Sequence, residues 1–169
     1  MSLGRPHAYT APDLAILAEH ITETGIIDMA YQQEPDSVVW MVRTDGVLLG
    51  MTYERAQDVI GWHRHLIGGA DAKVESVAVI PNTTGSADDL WAVIQRTVNG
   101  ASVRYIEFMT QGLVEGDITT RGATFLDSML SYDGSAVTTV SNLDHLEGQT
   151  VSVLANGATH PDRVVSAGA

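Results

Sequence analysis

The sequence predicts a mainly β protein: antiparallel, propeller-blade-like meanders, one N-terminal helix and a small C-terminal β-barrel or sandwich-like piece. Three observations predict it. Past residue 25 the apolar residues recur with period two, the spacing of a strand with one buried face. Asx-Gly pairs, the preferred corners of two-residue hairpins, stand at Asp45-Gly46, Asn99-Gly100, Asp133-Gly134 and Asn156-Gly157. A Trp-x-Val pattern recurs at Trp40/Val42 and at Trp91/Val93, each followed by such a corner, as expected of repeated meanders. The expected organisation is a helix with a propeller-like region over residues 1–111, a polar Gly-rich link over 112–122, and a second, truncated β unit over 123–169.

Taken in order, "TAPDLAILAEHITETG" reads as the helix. Thr10 caps it, Pro12 sits in its first turn, Asp13 follows three residues after the cap, and Gly25 ends it. Leu14, Leu17, Ala18 and Ile21 make its buried stripe. "VVWMVRTDGVLLGMTY", residues 38–53, reads as a hairpin. A two-residue type I′ loop at Asp45 and Gly46 sets Val42 against Leu49, Trp40 against Met51 and Val38 against Tyr53, one apolar face that a one-residue slip would disrupt. Strands at 57–65 and 73–81 complete a four-stranded antiparallel meander.

A second tryptophan hairpin turns at Asn99 and Gly100, pairing Trp91 with Phe108, Val93 with Ile106 and Gln95 with Arg104. A third, over 125–140, turns at Asp133 and Gly134 and sets Leu130 against Val137. Two short strands flank Asn156 and Gly157.

Composition narrows the function. The 169 residues, 44% of them hydrophobic, suffice for a buried core. Acidic residues outnumber basic ones 21 to 9, a formal charge of −12 that repels phosphate backbones and offers no cationic footprint. The absence of cysteine removes disulfide frameworks, zinc-thiolate clusters and thiol nucleophiles. No run approaches the roughly 20 apolar residues of a membrane-spanning helix. The opening "MSLG" reads as an expression scar, and the strand-like ending suggests a chain cut from a longer one.

Each chemically tempting residue has a plainer reading. His63 and His65 share one face of a strand, a spacing found in metal sites, but no motif supplies a third ligand, and surface or interface histidines are commoner there. Neither Asp88 with Asp89 nor Glu115 with Asp117 has a spacing that marks a glycosidase pair. The Ser-Gly stretches at 83–89 and 132–137 lack the strand-to-helix setting of a nucleophile elbow. His145 and Glu147 beside Gly148 read as a strand entry. Trp40, Trp62 and Trp91 would form a sugar platform only if exposed together. Apolar cross-strand partners assign Trp40 and Trp91 to the core, whereas Trp62 shares its face with Asp58 and Arg64. The residues expected to matter are therefore structural: Trp40, Asp45, Gly46, Trp62, Trp91, Asn99 and Gly100.

The series "APDLAILAEHI", "GIIDMAYQQEPDSVVWMVRTDGVLLGMTYERAQDVIGWHRH", "DDLWAVIQRTVNGASVRYIE", "FLDS" and "LDHLEGQTVSVLANG" resembles the central part of tail nozzle (tail tubular protein B-like) proteins of short-tailed bacteriophages and prophages. The resemblance covers nearly the whole chain. Its most specific blocks are the run from Trp40 to Trp62 and "DHLEG" at 144–148. It implies a non-enzymatic virion component: propeller-bearing subunits joined in a ring around the channel through which DNA leaves, made in the bacterial cytoplasm and carried in the phage tail. The implied partners are other tail subunits, with DNA only as passing cargo, and neither cofactor nor small-molecule substrate is implied. Such proteins are several times longer, so this chain would hold only a middle segment of a propeller. Two alternatives stay open: a carbohydrate- or protein-binding β module, and a metal-dependent hydrolase using His63 and His65.

Overall fold

The computed structural model describes residues 12–83, 85–110 and 127–169; the Thr10 cap, the 112–122 link and the Glu115/Asp117 pair lie outside them. The described chain is mainly β and antiparallel. Strands β1 (Ile26–Gln32), β2 (Val38–Arg43), β3 (Leu48–Glu54) and β4 (Val59–His65) form a first sheet in chain order. A second sheet holds β5 (Lys73–Pro81), β6 (Asp88–Val98) and β7 (Ala101–Met109), and β8 (Thr150–Ala155) pairs with β9 (Ala158–Val164) as a ribbon. Among the described residues the single α-helix is one turn, α1 (Glu19–Thr22). Among the described residues no barrel closes, and no helix is long and apolar enough to cross a membrane.

Four expectations need correcting. The helix shrinks to α1 because Ala18, at φ −131° and ψ 18°, breaks the helical path before it. Ala18 and Ile21 are buried and Leu14 packs beside them, but Leu17, expected in the same stripe, is 92% exposed.

The four-stranded meander exists with a different membership: β1 is its first strand, while 73–81 pairs with β6 instead of β4. The connection at 66–72 exceeds a tight hairpin loop, which leaves β5 free to seat elsewhere.

The first hairpin is shifted by one residue. Gly46 is left-handed at φ +88° but Asp45 is not, so the corner is not type I′. Gly46 N–H donates to the Arg43 carbonyl (2.9 Å) and Arg43 N–H to the Val47 carbonyl (3.0 Å), which makes a three-residue loop of Thr44, Asp45 and Gly46. Asp45 accepts from Val47 N–H (3.3 Å) and pairs with the Arg43 guanidinium. Trp40 therefore opposes Gly50, and Val42 opposes Leu48. The slip does not disrupt the apolar pairing, because both faces of β2 and β3 are covered.

No strand forms among residues 127–143. Neither Asp133 nor Gly134 takes a positive φ, and the Tyr132 hydroxyl closes on the Ser135 carbonyl (2.8 Å) as a local turn. Leu130 and Val137, the expected cross-strand pair, are both exposed.

The other two corners behave as read. Asn99 and Gly100 have φ 50° and 77°, Asn156 and Gly157 φ 51° and 78°, the double left-handed signature of a type I′ turn. Trp91 faces Phe108, Val93 faces Ile106, and Gln95 faces Arg104.

Two apolar layers hold the sheets. Val38, Trp40, Val42 and Leu48 of the first sheet pack against Val74, Leu90, Ala92 and Ile94 of the second. On the opposite side of the first sheet, Met41, Leu49 and Met51 close against Ala18 and Ile21. At the seam, Asp28 accepts from Val77 N–H (3.0 Å), Asp88 accepts from Gln33 N–H (2.9 Å), and Val74 N–H reaches the Gly46 carbonyl (2.9 Å).

Candidate functional site

The second sheet turns one face into the core, and its other face carries exposed and partly accessible apolar side chains. Along β6 burial alternates: Leu90, Ala92, Ile94 and Arg96 are buried, while Trp91, Val93 and Gln95 stay partly accessible. Register then builds two rows on the outer face, Ala78–Trp91–Phe108 and Ser76–Val93–Ile106, apolar apart from Ser76. The Trp91 and Phe108 rings lie 5.2 Å apart at 34°. Phe108 is 53% exposed and Ile106 75%. Beside them is a shallow hollow of about 210 Å³ whose walls include Val77, Ala78, Ile80, Trp91 and Val93. A bidentate ion pair between Arg104 and Glu75 (2.7 and 2.9 Å) marks the polar end of the face, and the Arg104 guanidinium holds the Glu75 carboxyl below its ordinary range. Trp91 thus has the apolar neighbours expected of it but not the burial. Cross-strand pairing says which residues share a face, and packing of the two sheets decides which face is covered.

Trp40 fulfils its reading. It is 6% exposed, and its indole N–H donates to the Gln32 side-chain carbonyl (2.8 Å). Against it lie His63 and His65, with ring centroids 5.6 and 5.2 Å away. The two histidines share a face as predicted and are linked: His63 Nδ1 is 2.8 Å from His65 Nε2, and His65 Nδ1 is 2.5 Å from Asp127 Oδ1. Burial, then the charge of His65, pushes the His63 pKa down, and Asp127 partly offsets both. Two nitrogens on one zinc ion stand roughly 3.3 Å apart, so the facing pair, closer than that and aimed at each other, is a hydrogen-bonded chain and not a chelate. Among the described residues no cluster of three or more His, Cys, Asp or Glu side chains is arranged to hold a metal ion.

A second polar cluster was not foreseen. Arg96 is fully buried; its Nε–H donates to the Gly68 carbonyl (2.7 Å), its guanidinium is paired with Glu107, and its Cζ lies 5.5 Å from the Tyr105 ring centroid. His145, in the 3-10 turn Asp144–Leu146, meets Tyr105 edge-on, and burial followed by the Arg96 charge lowers its pKa. The Nε, Nη1 and Nη2 atoms of Arg96 are each hydrogen-bonded within the chain, and the cluster anchors the 68–70 loop and the 3-10 turn.

The remaining residues lie apart. Trp62 donates its indole N–H to the Leu14 carbonyl (3.1 Å) under α1. Glu147 accepts from Ala167 and Gly168 N–H (3.1 and 2.9 Å) as a backbone clasp. Asp88 ties β6 to the end of β1. Of the groups the sequence left unremarked, Gly50, Gln32 and Asp127 complete the Trp40–histidine cluster. Only Gly50 carried a signal, as a glycine inside a strand.

An exposed aromatic and aliphatic sheet face is thus set on a β scaffold in which, among the described residues, the buried Arg43 and Arg96 are paired within the chain. No protein-family model and no curated protein matches the chain.

Proposed function

We propose that this chain is part of a non-enzymatic structural component of a phage or prophage tail, a nozzle or channel assembly, and that it works by burying the outer face of its second sheet against a neighbouring subunit. The observation that carries this reading is the cluster of exposed Phe108 and Ile106 beside the partly accessible Trp91 and Val93. Burying apolar area at about 25 cal/mol per Å² drives association, and exposed patches of this kind mark contact surfaces. The resemblance of the sequence to tail nozzle proteins supports this choice of assembly. Propeller-like repetition would be completed by further meanders in the parent subunit, and the charge of −12 suits a channel wall along which DNA slides without adhering.

A protein-binding β module outside a virion is the second reading, supported by the same face. A carbohydrate platform is less well supported, since among the described residues Ser76 is the sole hydroxyl lining the hollow and a sugar ring needs several hydrogen-bond partners. Mass spectrometry of density-purified tailed particles tests the reading. The expected result is the chain present in fixed copy number per particle; particles that form and lack it would overturn the proposal.

A further inference from the structure

We propose that His63, His65 and Asp127 form a one-proton relay: the chain keeps the Asp127–Ser128 corner against the first sheet through uptake of one proton and releases it on the second. The distances and partners of the two contacts support this. An ionised Asp127 accepts from His65 Nδ1–H, so His65 presents the lone pair of Nε2 to His63. His63 must then carry its proton on Nδ1, leaving the lone pair of Nε2 without a proton. Both imidazoles are neutral, and the trio carries a charge of −1.

A first proton adds at His63 Nε2. The N–H bond at His63 Nδ1 breaks as one forms at His65 Nε2, so the positive charge settles on His65 beside the Asp127 carboxylate and the trio becomes neutral. Every hydrogen bond survives, with one direction reversed. A second proton taken up by the imidazoles places N–H groups on both facing nitrogens, 2.8 Å apart, and that contact cannot hold.

Among the described residues, the neighbours that face the two histidines across the sheet add no competing charge. Trp40 on β2 and Gly50 on β3 are uncharged, and Gln32 on β1 is engaged with Trp40. Arg64 alternates to the opposite face of β4. Among the described residues, His65 and Asp127 are the charges that act on His63. The corner is also held where Gly68 N–H donates to Ser128 Oγ (3.0 Å), which gives an independent reporter of its position.

The test is a pH titration by long-range imidazole 1H–15N correlation and Ser128–Gly68 NOE contacts. At pH 8 the expected result is Nδ1–H on both histidines. The first proton converts His63 to the Nε2–H form and leaves the NOE contacts unchanged, and the second abolishes them. Asp127→Asn keeps an acceptor oxygen and removes the charge, so proton uptake at His63 moves to lower pH while the contacts persist at pH 8. His63 and His65 both in the Nε2–H form at pH 8, or loss of the NOE contacts with the first proton, would overturn the relay.

Discussion

Gly50 faces Trp40 across β2 and β3 and faces His63 across β3 and β4, and the side chain it lacks is the space the His63 ring fills: a Cβ at Gly50 would stand 2.0 Å from His63 Cε1. The Trp40–histidine cluster depends on that space.

Gly50→Ala should therefore expel the His63 ring from Trp40. Overpacking of this kind costs about 1–3 kcal/mol. Urea denaturation checks the stability change, and the His63 imidazole resonances check the displacement; an unchanged midpoint with unchanged resonances would contradict the packing described.

The two faces of the second sheet should respond in opposite ways to substitution. Leu90 is buried between the sheets, so Leu90→Ala is expected to lose about 2–5 kcal/mol. Ile106→Lys on the outer face should change stability by no more than about 0.5 kcal/mol while weakening association. Denaturation midpoints alongside light scattering separate the two effects.

Arg96→Ala removes a fully buried cation and leaves Glu107 without its partner. A loss of about 3–5 kcal/mol is expected. Replacing both, as Arg96→Met with Glu107→Leu, should recover part of the loss because no unpaired charge remains. A double-mutant cycle in urea measures the coupling.

Stability should fall on mild acidification. The pKa values of His63 and His145 are both lowered in the fold, chiefly by burial, so between those values and the unfolded value of about 6.5 the unfolded chain binds more protons. Their contribution is fully present above about pH 6.5 and is lost as pH drops through the folded values. Urea midpoints at pH 7.5 and pH 5 check the sign, and His63→Gln with His145→Gln should flatten the difference.

The sequence reveals a corner where its two residues commit to one geometry. Asn99-Gly100 and Asn156-Gly157 both take left-handed backbone at each position, and their registers follow from the pattern. Asp45-Gly46 uses one left-handed residue, and β2 and β3 are apolar on both faces, so nothing in the alternation distinguishes the two registers. The burial of Trp40 was legible from its neighbours. That of Trp91 was not, because its exposure depends on how β5 seats against β1 through the Asp28–Val77 contact. His63 and His65 could be paired from spacing alone, whereas Asp127 stands 62 residues from His65 and no local pattern ties them together.

Hydroxyl-radical footprinting of Trp91 and Phe108, in the free chain and in assembled tails, bears most directly on the proposed contact. Both residues should be oxidised in the free chain and protected at least about tenfold on assembly, with buried Trp40 unreactive in both states. Equal oxidation of Trp91 and Phe108 in free and assembled forms would contradict a role for that face in joining subunits.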